Sequence, residues 1–424
     1  MSTVVLVEGC AMLAQRVTAA LCARCKGRKL LCGLPRCPLL QRFYTQIQVL
    51  RTIDGKLVEG STPPTIIVGE RGYPRVPLLI AVPPSVWGEE AKTYDDPIGW
   101  WGQKSLDDIL KLRSSMVTGF VSVHVSSDIP KIKRKELDIV AVSLRPVDTE
   151  VHLLKKPIPK VIFSDKLKPL SLLAPAHDIR LGSNPKIDRA LEKVSNDDLD
   201  ATTAILELYK RGVDVYTIQR ALSIGLLGHR LRRRLVPTRW AITAVDRALS
   251  RYFLSRLYGM DSIDSGRLYF AEYLGNRFWI YICPGKYEIV WIEIWHPSTF
   301  YTAECKRPVI VYNVEKMSGT PDYMDGGFEA AKFSVLEFLY NVLRRQARVY
   351  IVREILPYYY APVGNWHIRE SVRHALRYGE IAKNVNINEV IEIISSTSQY
   401  ASRALLEYIT SKRSLPLDIF LFKR

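Results

Sequence analysis

The sequence predicts an α+β (mixed α/β) fold: a small four-cysteine zinc module at the N-terminus, a helical middle segment, an antiparallel β-meander and a helical C-terminal part. Three observations carry this expectation. Four cysteines fall between residues 22 and 37. Apolar residues recur at helical spacing from 187 to 257. From residue 266 the period drops to two, in GRLYFAEYL, NRFWIYICP and YEIVWIEIWH. At 424 residues the chain is too long for one ordinary core. The expected divisions are a zinc-finger-like module (1–50), an α/β segment (51–180), a helical and β-meander core domain (181–410) and an exposed tail (411–424).

The cysteines are spaced Cys22-x2-Cys25-x6-Cys32-x4-Cys37. A C-x2-C pair aims two sulfurs at one tetrahedral ion from a tight turn, and the C-x4-C pair supplies two more ligands. Gly27, Gly33 and Pro35 bend the chain between them. With no histidine nearby, the set predicts a closed, structural, all-cysteine Zn2+ site. Arg24, Lys26, Arg28, Lys29 and Arg36 favour thiolate and offset the charge of such a site. Cys10, Cys283 and Cys305 have no such spacing and are expected to be core thiols.

Further along, PTIIVG (64–69) and VPLLIAVPP (76–84) read as strands joined by a turn at GERGYPR. SLDDILKLRSSM (105–116) has helical spacing, and LDIVAVSLRPVDTEVHLL (137–154) reads as two strands around a turn at RPVD. Residues 155–186 read as a long connection rich in proline and lysine. LDATTAILELYKRG, VDVYTIQRALSIG and RWAITAVDRALSRYFLSRL are expected helices, the first capped by Gly212. After the meander come a strand PVIVYNV, an amphipathic helix at 326–346 and a strand ARVYIVREI. ESVRHALRYG, NEVIEIISST and QYASRALLEYITSK complete the chain as helices.

The formal charge of +17, from 60 Lys and Arg against 43 Asp and Glu, suits a polyanionic partner such as nucleic acid. No apolar run approaches the roughly 18 residues of a membrane span. The opening MSTVVLVEGCAMLAQR lacks the basic start of a signal peptide, so a cytoplasmic, reducing location is expected. Composition sets no oligomeric state.

Two segments suit DNA. HRLRRRLVPTRW carries Arg230, Arg232, Arg233, Arg234 and Arg239, whose planar forks match phosphate oxygens, and Trp240, which can stack on a base. In PYYYAPVGNWHIRESVRHALRYG, a helix would align Arg369, Arg373 and Arg377 beside Tyr358, Tyr359, Tyr360 and Trp366. GVDVYTIQRALSIGLLGH resembles a tyrosine-recombinase box with His177 and Arg180 upstream, but no tyrosine follows His229 at short range. A metal-dependent nuclease would need acids converging on Mg2+ or Mn2+, and Asp96, Asp148, Glu150 and Asp188 are the candidate ligands. In the tail, Ser414, Leu417, Phe420 and Leu421 follow the spacing of a peptide that binds the sliding clamp PCNA. One 3₁₀ turn would bring the three apolar side chains to a single face.

The ordered set of blocks CARCKG…CGLPRCP, GYP, RPVDTE, NPKIDRALEKV, LVPTRWAITAVD, GGFEAAKFSVLEFL and VGNWHIRESVR resembles the archaeal Nre family of DNA repair proteins. The resemblance runs along nearly the whole chain. It implies a zinc-finger-like module on Cys22, Cys25, Cys32 and Cys37, and a clamp-binding tail on Ser414, Leu417, Phe420 and Leu421. Serine stands at the first tail position, where the peptide usually has glutamine. The resemblance supplies no catalytic residues. The resulting expectation is a zinc-containing DNA repair protein that binds DNA and PCNA, with a nuclease centre as its open chemical question. The competing expectations are a non-catalytic DNA- and clamp-binding adaptor and an RNA-processing enzyme.

Overall fold

A computed structural model describes residues 22, 24–31, 36–159, 171–182, 185–297, 299, 302, 305–317 and 325–413. Its chain divides into two compact units. One comprises Arg36–Ser255 with Ala361–Glu370, and the other Met1–Pro35, Arg256–Tyr360 and Ser371–Arg424. None of the described helices is long and apolar enough to cross a membrane.

The unit of residues 36–255 is built on a six-stranded sheet. Its strands are β1 (Leu57–Thr62), β2 (Ile66–Val68), β3 (Arg75–Val82), β4 (Val117–His124), β5 (Val147–Leu153) and β6 (Leu172–Leu181), in the order β1-β5-β6-β4-β3-β2. Two antiparallel halves meet at one parallel pair, β4 with β6, over Val117–Phe120. The predicted strands around GERGYPR form the hairpin of β2 and β3. Strand β6 runs through the stretch expected to be a connection. Its alternation is broken by Pro175 and by the register shift opposite His152 and Leu153, so no clean period of two was visible. A second difference lies at Leu137–Val142, a short helix where a strand was expected. Nearly all of it is buried, and a short run buried on every side has the same apolar pattern in either conformation.

Helices α1 (Pro38–Leu50) and α2 (Leu106–Ser114) belong to this unit, as do α3 (Arg189–Asn196), α4 (Ala201–Lys210), α5 (Val215–Ser223) and α6 (Thr238–Leu257) as far as Ser255. Their starts are written locally. Asp188, Asp200 and Asp214 each stand one residue before a helix and accept hydrogen bonds from its first free N–H groups. Ser105 and Asp108 close a reciprocal capping box on α2. Gly212, just past α4, takes a φ of +82°, which a side chain would resist.

The other unit carries a second six-stranded sheet. Its strands are β7 (Arg267–Tyr273), β8 (Asn276–Cys283), β9 (Glu288–Trp295), β10 (Val309–Lys316), β11 (Arg348–Ile355) and β12 (Glu380–Lys383). The order is β10-β9-β11-β8-β7-β12, so the expected meander is broken. Strand β11 inserts between β8 and β9, antiparallel to the first and parallel to the second. The three strands are buried on both faces, as interior strands under helices on both sides must be. Helix α7 (Gly326–Phe338) covers one face, with Phe328 edge-on to Trp291. It is buried from Gly327 through Leu336 and is not the amphipathic helix expected there. After α8 (Trp366–Tyr378), which contributes its residues from Ser371 to this unit, come α9 (Ile387–Ser395) and α10 (Gln399–Arg413). These two pack Val390, Ile394, Ala404, Leu405 and Tyr408 against Trp279, Val290, Ile292 and Val352 on the opposite face.

Candidate nucleic-acid interface

In the unit of residues 36–255, the tip of the β2–β3 hairpin and the segment leading into α6 are brought together by backbone hydrogen bonds. Val125 N–H donates to Pro74 O at 3.0 Å, and Leu235 N–H donates to Val125 O at 2.7 Å. Thr238, the first residue of α6, strengthens the junction by accepting a bond from Val68 N–H at 2.9 Å. The tip is shaped by Gly72 at φ +87°, where a Cβ would lie 2.8 Å from Arg75 O. These contacts set two aromatic rings side by side at the surface. Tyr73 and Trp240 have ring centroids 5.7 Å apart at 38°, and the residues are 44% and 46% exposed.

Basic residues lie on the same two segments. Arg71 and Arg75 flank Tyr73 on the hairpin, Arg232 and Arg234 lie on the approach to α6, and all four are exposed. None of the four has a side-chain partner among the described residues. Arg239 is also exposed and meets Glu70 at 3.0 Å, an ion pair of the solvated kind that a phosphate can displace. Exposed guanidinium groups on the same two segments as a half-exposed aromatic pair are chemistry that can meet phosphate and base. Trp240 and the arginines that precede it were legible in the sequence. Tyr73, Arg71 and Arg75 were not, because GERGYPR read only as a turn.

The remaining predicted arginines are employed within the fold. Arg233 donates through Nε to Gly228 O at 2.8 Å, through Nη1 to Ser195 O at 2.8 Å and through Nη2 to Asp197 O at 3.0 Å. Burial lowers its pKa, with the neighbouring charge of Arg230 adding to the effect. Arg230 itself bonds to Asn196 O. The stripe expected on α8 does not form one solvent face. Arg369 is 1% exposed and paired with Asp246, Arg373 grips Glu337 through two nitrogens, and only Arg377 stands exposed. Tyr359, Tyr360 and Trp366 are buried, so they are core side chains rather than a stacking platform; Tyr358 is 47% exposed.

The four acids expected at a metal-dependent centre are not brought together. Asp96 caps the turn Pro97–Trp100, and Asp188 caps α3. Asp148 accepts from the Ser61 hydroxyl, and Glu150, two residues along β5, faces His152 at 3.6 Å. Among the described residues no group of three or more His, Cys, Asp or Glu side chains is placed to hold a metal ion.

Residues 31–302 match the family model described as archaeal Nre, N-terminal, and residues 313–416 match archaeal Nre, C-terminal. The chain belongs to the archaeal Nre family. It is 37% identical over 365 residues to the DNA repair protein NreA of Archaeoglobus fulgidus, covering 84% of this chain and 88% of that one. DNA repair protein NreB of the same organism is 34% identical over 408 residues, 92% of this chain and all of its own length. NreA of Haloferax volcanii is 32% identical over 396 residues, 90% and 92% of the two chains. No solved structure matches.

Of the cysteines expected to hold zinc in this Nre chain, Cys22, Cys25 and Cys37 are described and Cys32 lies outside the described residues. Around Cys25 the chain makes a tight knuckle. Lys26 N–H donates to Cys22 O at 2.8 Å, and Lys29 N–H donates to Cys25 O at 3.2 Å. Burial pushes the Cys25 thiol up, but hydrogen bonds from the N–H groups of Leu31, Gly27, Lys29 and Leu30 bring it below its ordinary value. A sulfur ringed by backbone donors suits a thiolate, but Cys22, Cys25 and Cys37 do not form a group placed to hold a metal ion among the described residues. Cys37 stands at the N-cap position of α1. The tail residues Ser414, Leu417, Phe420 and Leu421 lie outside the described residues.

Proposed function

We propose that this Nre chain works in archaeal DNA repair as a DNA-binding protein tethered to the sliding clamp PCNA through Ser414, Leu417, Phe420 and Leu421, with a structural Zn2+ on Cys22, Cys25, Cys32 and Cys37. The observation that carries the DNA-binding part is that Arg71, Arg75, Arg232 and Arg234 are exposed and unpartnered on two distant stretches of sequence that backbone hydrogen bonds join. Folding normally pairs or disperses like charges, and a cluster left open is an electrostatic footprint for phosphate. Tethering to a clamp raises the local concentration of DNA, so modest phosphate contacts suffice.

Of the nuclease and adaptor readings, the non-catalytic adaptor is favoured because Asp96 and Asp188 serve as helix caps and Asp148 as a hydroxyl acceptor. The test is titration of the purified protein with labelled DNA over a range of salt. A steep fall in affinity with salt is expected, reduced when Arg71, Arg75, Arg232 and Arg234 become alanine. Unchanged binding in that variant would overturn the assignment of the surface. Strand cleavage in Mg2+ or Mn2+ would overturn the non-catalytic reading, and a preference for RNA over DNA would point to RNA processing.

A further inference from the structure

We infer that Tyr73 and Trp240 form a wedge that takes up an unpaired base, so that the arginine surface binds single-stranded DNA in preference to duplex. The inference rests on the DNA-binding reading above and specifies its substrate. Nearly half of each residue's surface remains open although both are large and apolar, and the two rings are adjacent rather than scattered. Aromatic side chains left in solvent as a pair, rimmed by polar groups, mark a recognition surface.

The rings are held from opposite sides. Tyr73 is carried on a hairpin tip closed by Arg75 N–H donating to Gly72 O at 3.0 Å, and that tip is tied to Val125 through Pro74 O. Trp240 lies in the first turn of α6, where its own N–H donates to Pro237 O at 2.8 Å. The backbone that carries each ring is therefore already ordered when a ligand arrives, which lowers the entropic cost of binding. Their planes are tilted by 38°, so the pair is not a closed sandwich.

The chemistry selects the ligand. Stacking needs the face of a base, and in a duplex both faces of every internal base are already covered by neighbours. A single strand offers those faces, and its phosphates fall among Arg71, Arg75, Arg239, Arg232 and Arg234. Stacking is indifferent to base identity, so weak sequence preference is expected.

The experiment compares an oligothymidylate, a strand of equal length built from abasic residues, and a duplex, all by fluorescence anisotropy on the full chain. Wild-type protein should bind oligothymidylate about tenfold more tightly than the abasic strand, since only bases differ between them. Trp240→Leu and Tyr73→Leu should lose most of that difference while keeping duplex affinity and the salt dependence. Equal affinity of the wild type for the base-bearing and abasic strands would overturn the wedge, and so would preference for duplex. Failure to bind any of the three would instead overturn the DNA-binding reading itself. The abasic comparison uses unaltered protein, so it stands even where a leucine variant does not fold.

Discussion

Arg369 Nη2 donates to both carboxylate oxygens of Asp246, at 2.7 and 2.5 Å, and neither side chain reaches solvent. Gln219 donates to the same carboxylate at 3.0 Å, and the guanidinium lies over the Tyr216 ring at 5.1 Å. The arginine is thus a structural pin that ties the start of α8 to α6 and α5 within one unit. Removing one partner of a buried pair leaves an uncompensated charge. Arg369→Met or Asp246→Leu alone should cost about 3–5 kcal/mol in denaturant unfolding. The double variant should recover most of this, short of full recovery because Gln219 keeps a donor without an acceptor.

Adjacent arginines should separate cleanly by function. Arg232→Ala and Arg234→Ala should each reduce the slope of log affinity against log salt by about 1 and leave the unfolding midpoint unchanged. Arg233→Ala removes three bonds to carbonyl groups. It should cost about 1–3 kcal/mol of stability with little change in the slope. Paired thermal melts and salt titrations of the three variants check both outcomes.

The four-cysteine set should hold one Zn2+ per chain, released when a mercurial modifies the thiols and read with a chromophoric chelator. Cys25→Ser should lower the zinc content of the purified protein substantially, whereas Cys283→Ser should not. Cys283 hydrogen-bonds to Arg348 O, and burial pushes its thiol up to about 11, the setting of an inert thiol.

A chain ending at Arg413 should lose calorimetric binding to PCNA while retaining its affinity for DNA. Restoring glutamine at Ser414 in the full chain should tighten clamp binding, since that position departs from the usual peptide. Undiminished clamp binding by the shortened chain would place the contact elsewhere.

Glu354 on β11 predicts an acid-sensitive core. Its carboxylate accepts from His296 Nε2 at 2.6 Å and Ser398 Oγ at 2.6 Å, with Arg277 at 3.5 Å. Burial pushes the carboxyl up, but those two bonds and the charges of His296 and Arg277 outweigh it and hold it below the ordinary glutamate value. The unfolded chain therefore takes up this proton more readily than the folded one. The stabilisation is complete above the ordinary value of about 4.3 and is lost as pH falls through the lower folded value. Glu354→Gln should lower the melting temperature at neutral pH, by about 1.5–3 kcal/mol of stability, and flatten its fall below pH 5.

Much of the local architecture was legible because it is fixed by neighbouring residues. Asp188, Asp200 and Asp214 announce their helices, Gly212 ends one, and the alternation of β7 and of ARVYIVREI marks strands wherever they pair. Less was legible at the candidate surface. HRLRRRLVPTRW displayed Trp240 and its arginines, but the hairpin half of the site was hidden in a turn. The bonds through Val125 link Pro74 to Leu235, more than a hundred residues apart, and leave no local pattern.

The sequence by itself determined the family, the charge, the cysteine spacing and most helix boundaries, since each depends on residue type and short-range order. Only the tertiary structure decided that β11 enters between β8 and β9, because a strand's period says that it pairs and not with which partner. It also decided the separate fates of Arg232, Arg233 and Arg369. A guanidinium has one chemistry, and whether it meets a carbonyl, a buried carboxylate or open solvent depends on the chain that folding brings beside it.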